Sequence, residues 1–158
     1  TLLLGTGIRV SECVGLNIDD IDFNNNSIRI IRKGGNQTIL YFGEEVRVAI
    51  IDYLTSRENI EACEGSENAL FLSLNNTRMS VQAVEKMIVK YAAVVTPLKK
   101  ITPHKLRSTY GTQLYRASGD IYLVADVLGH KDVNTTRRHY AAIDDDRRKR
   151  AARLVKLR

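Results

Sequence analysis

At 158 residues, 44% hydrophobic and 27% charged, the chain has the size and composition of one soluble globular domain. No apolar run approaches the length of a membrane span and nothing at the N-terminus looks like a signal peptide, while two cysteines, Cys13 and Cys63, make no disulfide framework; free, reduced thiols in a cytoplasmic protein are the expectation. The net charge of +6 suggests an acidic partner, yet residues 147–158 alone carry seven Lys or Arg and no acid, which leaves 17 basic against 18 acidic residues in the body of the chain.

The chain opens at Thr1 and runs straight into Leu2-Leu3-Leu4, which reads as the end of a helix whose beginning is missing, in a fragment of a longer protein. Gly5-Thr6-Gly7 ends that helix, because glycine supplies the turn. Arg9 to Gly15 forms a short helix. The period then changes. Ile18 to Phe23 and Ser27 to Arg32 read as strands joined by Asn24-Asn25-Asn26, a turn composition. Gly34-Gly35 separates the second strand from Gln37–Tyr41, a hairpin signal that leaves Lys33 at its turn. Helices follow. Glu44 to Ser56 carries Val46, Val48, Ala49, Ile50 and Tyr53 at helical spacing, and Ser80 caps a helix to about Val94 with Val84, Met87, Ile88 and Tyr91 on one stripe. Thr102-Pro103 is a start signal for a helix whose core stripe is Leu106, Tyr110, Leu114 and Ala117. Asp120 caps Ile121 to Leu128, which ends at Gly129; a further short helix holds Tyr140, and Asp144 starts a last, basic one with Ala151, Leu154 and Val155 on one side. The predicted fold is mainly α with a small three-stranded antiparallel β-sheet (α+β).

Charge is segregated along the body. Residues 44–67 hold seven acids against two arginines, and residues 86–119 hold seven bases and no acid. A basic stretch facing away from an acidic one is an electrostatic footprint for nucleic acid, and equally a solvated surface of uneven charge. The chemistry-bearing residues are more specific. His104 and Arg107 lie three apart at a helix start, so they share a face, and by the stripe above that face points about a quadrant from the core. The helix N-terminus adds free N–H groups, which makes an anion site. His130 follows Leu128-Gly129 and is presented where the glycine turns the chain. Tyr140 sits in Arg137-Arg138-His139-Tyr140, a polar and basic setting in which a core role is less natural than a chemical one.

These stretches, with Gly5-Thr6-Gly7-Ile8-Arg9-Val10-Ser11-Glu12 and Thr135-Thr136, resemble the catalytic domain of the tyrosine recombinases, the phage-integrase and Xer-type site-specific recombinases. The resemblance spans Leu2 to Tyr140 and agrees in order, spacing and flanking residues. It implies Arg9 and Arg107 as two phosphate-binding arginines, His104 and His130 as two histidines, Lys33 as a sheet-borne lysine and Tyr140 as the nucleophile. It also implies that residues 1–158 are a catalytic domain without its beginning and without the family's N-terminal DNA-clamping domain, and that 144–158 form a basic tail helix. The implied partner is double-stranded DNA, held by a homotetramer, with no membrane.

The chemistry is consistent with those roles. Attack on a phosphodiester spreads negative charge over the nonbridging oxygens, which preorganised guanidiniums bind in bidentate fashion. A phenol with its pKa of about 10 needs a base or a cationic site to become a nucleophile. His104 is the candidate base, His130 a donor to the phosphoryl group, and Lys33 the acid for the departing 5′ oxygen. Such an enzyme forms a 3′-phosphotyrosine and needs no ATP, metal or other cofactor. Three rival readings remain: a type IB topoisomerase-like enzyme, a catalytically inactive DNA-binding relative, and a basic RNA-binding module, for which the strands offer little beyond Phe23, Tyr41 and Phe42.

Overall fold

The computed structural model describes residues 1–130 and 132–140. The helix expected from Asp144 onward, with Ala151, Leu154 and Val155, lies outside the described residues. Two units divide the chain, residues 1–110 and 111–158.

The first unit runs in the order α1 (Leu2–Thr6), α2 (Val10–Gly15), β1 (Ile21–Asp22), β2 (Ser27–Ile31), β3 (Gln37–Tyr41), α3 (Glu44–Arg57) and α4 (Val81–Val95), and it includes the start of α5 (Pro103–Ser118). The sheet is antiparallel with order β1-β2-β3, so the expected class holds: mainly helical with one small sheet. β2 and β3 pair from Ser27↔Tyr41 to Ile31↔Gln37. Ile28, Ile30 and Leu40 are buried, whereas Arg29, Ile31, Ile39 and Tyr41 are exposed, as the two-residue period of a half-covered sheet requires.

β1 is shorter than expected. Ile18–Asp20 forms a 3₁₀ turn, and only Ile21 and Asp22 pair with β2. The Asp20 carboxylate accepts the Asn17 backbone N–H at 2.9 Å and the Arg29 Nε–H at 3.0 Å. Such local side-chain bonds compete with a ladder, and here they win the first three positions.

Three arginines brace the first unit. Arg47 Nη1 donates to the Phe23 carbonyl (2.6 Å) and to Asn26 Oδ1 (3.0 Å). Arg57 donates to the carbonyls of Ala69 and Glu67, and Arg78 to those of Val14 and Leu16 and to Asn17 Oδ1. The two arginines of the acidic stretch are therefore occupied in holding loops, while all seven of its acids are exposed. In α4, capped by Ser80 Oγ on the Ala83 N–H, only Val84 of the expected stripe is fully buried; Met87 and Tyr91 are exposed. Cys13 is buried and Cys63 exposed, both free, and burial pushes the Cys13 thiol up to about 12.

The second unit contains the rest of α5, then α6 (Ile121–Leu128) and α7 (Val133–His139). Asp120 Oδ1 caps α6 by accepting from the N–H groups of Tyr122 and Leu123, and Gly129 closes it at φ 61°. Asp132 Oδ1 caps α7 through the Asn134 N–H. Among the described residues no helix is long and apolar enough to cross a membrane.

Candidate active site

The Gly5–Glu12 segment is fixed by its own small residues. Gly7 caps α1 at φ 64°, and the Thr6 hydroxyl donates to the Leu2 carbonyl (2.8 Å) and accepts the Ile8 N–H (3.3 Å). The chain then leaves the turn with Ile8 buried and Arg9 at the surface side of α2. Arg9 does not hang free. The Glu12 carboxylate accepts its backbone N–H at 2.9 Å and its Nη1–H at 2.8 Å, and the Glu12 side chain is only 6% exposed against 38% for Arg9. A nearly buried carboxylate thus holds the half-exposed Arg9 guanidinium in place.

α5 starts as its sequence predicts, with the Thr102 hydroxyl accepting the Lys105 N–H at 3.2 Å ahead of Pro103. His104 is exposed at its first turn. Arg107 is not on a side-facing stripe. It is 8% exposed, and its Nη1 donates to the Gly7 carbonyl, 100 residues away in sequence. Within the first unit, this bond ties the arginine of the His-x-x-Arg motif to the turn that precedes Arg9. A charge-assisted bond of this kind contributes about 1.5–3 kcal/mol when buried. The expected core stripe of α5 is displaced by one position. Pro103, Arg107, Gly111 and Tyr115 are the buried residues, while Leu106, Tyr110 and Leu114 are half-buried and Ala117 is exposed. Of the seven bases in residues 86–119, Arg107 alone is buried and the other six are exposed.

Lys33 lies exposed on the β2–β3 turn, beside Gly34 and Gly35 at φ 98° and 83°. Only glycine holds such torsions without strain, so the lysine is carried on a tight, exposed tip.

In the second unit His130 follows the left-handed Gly129. Its backbone N–H donates to the Ala125 carbonyl (2.8 Å), and its Nδ1 lies 2.8 Å from Thr136 Oγ1. Tyr140 corrects the expectation of an open, basic setting. It is the residue that ends α7, at φ −106° and ψ 10°, and it is 3% exposed. Its ring tilts at 45° against that of Tyr115, with centroids 5.6 Å apart. The hydroxyl lies over Gly111, so closely that a Cβ there would collide with it. Its neighbours Arg137 and Arg138 are exposed, but the ring itself turns inward under them. A polar sequence context described the helix surface and not this side chain.

The phage integrase family model matches residues 1–147 of the 158. The chain belongs to the phage integrase family. It is 35% identical over 150 residues to the tyrosine recombinase XerS of Streptococcus agalactiae, covering 93% of this chain and 42% of that protein. The XerA recombinase crystal structure superposes with a TM-score of 0.84 at 30% identity, over 99% of this chain and 57% of that one. The Tn1549 transposon integrase, in complex with circular intermediate DNA, gives a TM-score of 0.70 at 29% identity, over 87% and 50% of the two chains. The chain thus spans about half the length of the relatives it matches.

Within this phage integrase domain, three residues matter that the sequence presented without an evident role. Glu12 was legible as a partner for Arg9 from its i, i+3 spacing on a helix start. Gly111 was legible as a glycine inside an otherwise unbroken helical pattern, a sign of close approach by another group. Thr136 entered only as part of the Thr135-Thr136 pair in the family resemblance, and nothing local pointed to its partner His130, six residues away across a turn.

Proposed function

We propose that this chain is the catalytic domain of a site-specific DNA recombinase or integrase, cleaving and rejoining duplex DNA through a 3′-phosphotyrosine. The observation that carries the reading is the bond from Arg107 to the Gly7 carbonyl, because it joins the two arginine-bearing motifs of the first unit around one backbone turn. Family membership and the likeness to tyrosine recombinases and a DNA-bound integrase support it.

In this reading Arg9 and Arg107 bind the nonbridging oxygens of the scissile phosphate. Their charge matters most as the phosphorane develops, so they act on the transition state more than on binding. His104 takes the proton of the Tyr140 phenol, and Lys33 protonates the 5′ oxygen as it leaves. His130 donates to the phosphoryl group. The phenol oxygen bonds to phosphorus while the 5′ O–P bond breaks, so the energy of one phosphoester is kept in the other and no ATP is consumed. Four subunits on two duplexes would exchange strands between them.

The buried Tyr140 sets one condition. Its ring must leave the Gly111 seat before it can attack, and exposing a buried aromatic side chain costs about 1.5–3 kcal/mol. Phosphate in reach of two guanidiniums offers charge-assisted bonds of comparable size. The position of Tyr140 at the last turn of α7 lets the ring move without unwinding the helix ahead of it.

The deciding experiment incubates the full-length protein with a nicked suicide substrate. A covalent protein–DNA adduct that disappears in Tyr140→Phe supports the recombinase. Binding without an adduct would make this a DNA-occupying relative, and cleavage without synapsis of two duplexes would make it topoisomerase-like.

A further inference from the structure

The helix that presents Arg9 is poorly secured by its own burial. α2 has six residues, of which Cys13 is the buried one, and Ser11 and Gly15 face solvent. A helix that short does not hold its shape alone in water. Its two ends are held from outside. Ahead of it, Arg107 donates to the Gly7 carbonyl. Behind it stands Arg78, on the segment that leads into α4. Its Nη1 donates to the Val14 carbonyl at 3.0 Å and to the Leu16 carbonyl at 2.8 Å, and its Nη2 donates to Asn17 Oδ1 at 2.6 Å. Arg78 is itself fixed: its backbone N–H donates to Ser66 Oγ at 3.1 Å, and an antiparallel bridge joins it to Leu72.

We infer that Arg78 is a positioning residue for Arg9: it clamps the C-terminal end of α2 and thereby sets where the other end presents its guanidinium. The last carbonyls of a helix have no partner inside it, and a cation placed there also complements the helix dipole. Val14 and Leu16 supply such carbonyls at the end of α2, and one planar fork gathers both of them together with the Asn17 amide oxygen. A lysine ammonium carries its donors on a single nitrogen and cannot span the same three acceptors. At the other end, the Glu12 carboxylate binds both the backbone N–H and the Nη1–H of Arg9, so the guanidinium moves with α2 as one body. Six residues of helix make a lever about 9 Å long, and a tilt of about 6° at one end carries the other about 1 Å. A misplacement of about 1 Å in a group that must meet a phosphate costs up to about a hundredfold in rate.

The inference rests on the reading of Arg9 as a phosphate-binding group, and its test separates the two. The full-length protein is incubated with saturating suicide substrate, and the rate constant and the final amplitude of adduct formation are read separately, with the Kd for uncleaved duplex beside them. Arg78→Met keeps much of the stem and removes the fork; Arg78→Lys keeps the charge without the fork. Arg47→Met removes a brace of the same chemistry from the β1–β2 turn and controls for lost stability. Both Arg78 variants should lower the rate constant about tenfold or more, with amplitude and Kd kept, while Arg47→Met lowers the melting temperature and leaves the rate constant unchanged. Cys13, the buried residue of α2, gives a second readout without DNA: iodoacetamide should reach it sooner in the folded Arg78 variants than in the parent or in Arg47→Met. If Arg47→Met slows the adduct as much as the Arg78 variants do, the loss is a general one and the inference is overturned. If Arg9→Ala abolishes the adduct while the Arg78 variants keep the parental rate constant, the inference about Arg78 is overturned and the reading of Arg9 stands. Where Arg78→Met fails to fold, Arg78→Lys decides alone, and a parental rate constant there overturns the inference. If Arg9→Ala leaves the adduct untouched, the reading of Arg9 is lost and the inference goes with it.

Discussion

Gly111→Ala is the sharpest probe of the resting position of Tyr140. Alanine inside a helix should be favoured over glycine by about 1 kcal/mol. At this position the added Cβ would strike the Tyr140 hydroxyl and come within 2.9 Å of Leu128 Cδ1. Overpacking of a tight contact costs about 1–3 kcal/mol, so the net expectation is a loss of up to about 2 kcal/mol. Tyr140→Phe removes the oxygen that collides and leaves the ring carbon Cζ at 3.4 Å, an ordinary contact. In that background the approach to Leu128 Cδ1 at 2.9 Å remains and only the cost of the hydroxyl collision is removed, giving a coupling of about 1–2 kcal/mol between the two positions. Hydrogen exchange of amides in residues 111–140 of the full-length protein reads this locally, without assuming that the whole molecule unfolds in one step. An identical effect of Gly111→Ala in both backgrounds would show that the phenol does not rest on Gly111 in solution, and the conditional step in the catalytic scheme would go with it.

Three further expectations follow from other contacts. Gly7→Ala forces a Cβ into the left-handed region, which costs about 1–2 kcal/mol, and it also shifts the carbonyl that Arg107 reaches; the melting temperature should drop, and an unchanged melt would contradict the cap geometry. Glu12→Ala removes the carboxylate that accepts twice from Arg9 and should lower adduct formation about tenfold, equivalent to about 1.4 kcal/mol, with DNA affinity little changed; a parallel loss of affinity would count against a role in orienting Arg9. Iodoacetamide at pH 8 should label Cys63 quickly and Cys13 only after unfolding, because Cys13 is buried and its thiol is pushed up to about 12; rapid double labelling would refute that burial.

The sequence carried the architecture well where periodicity and punctuation agreed. The β2–β3 hairpin is set by Gly34-Gly35, α5 by Thr102-Pro103, and α6 by Asp120 and Gly129, and each of these signals works within a few residues of where it is written. Two readings failed for a shared reason. The first strand lost its opening residues to the bonds of Asp20, and the stripe on α5 was placed one position off because Leu106, Tyr110 and Leu114 outweigh a buried arginine and a glycine on any hydrophobicity count. Arg107 is buried by a specific acceptor, and Gly111 by a ring laid against it, neither of which a local pattern records. Tyr140 shows the same limit from the other side. Charged neighbours at 137 and 138 face solvent, while the tyrosine after them turns under the helix end to meet Tyr115, 25 residues earlier.

The partner of Arg107 is a peptide oxygen, which every amino acid carries. No change of side chain at position 7 can delete it. What mutation can alter is the torsion that aims it, and at φ 64° that torsion admits one residue type cheaply. Substitution at position 7 therefore acts on this anchor through stereochemistry alone: the glycine sets the direction of its own carbonyl, and another residue there would loosen the grip on the guanidinium by a change of shape while every acceptor atom stayed in the chain.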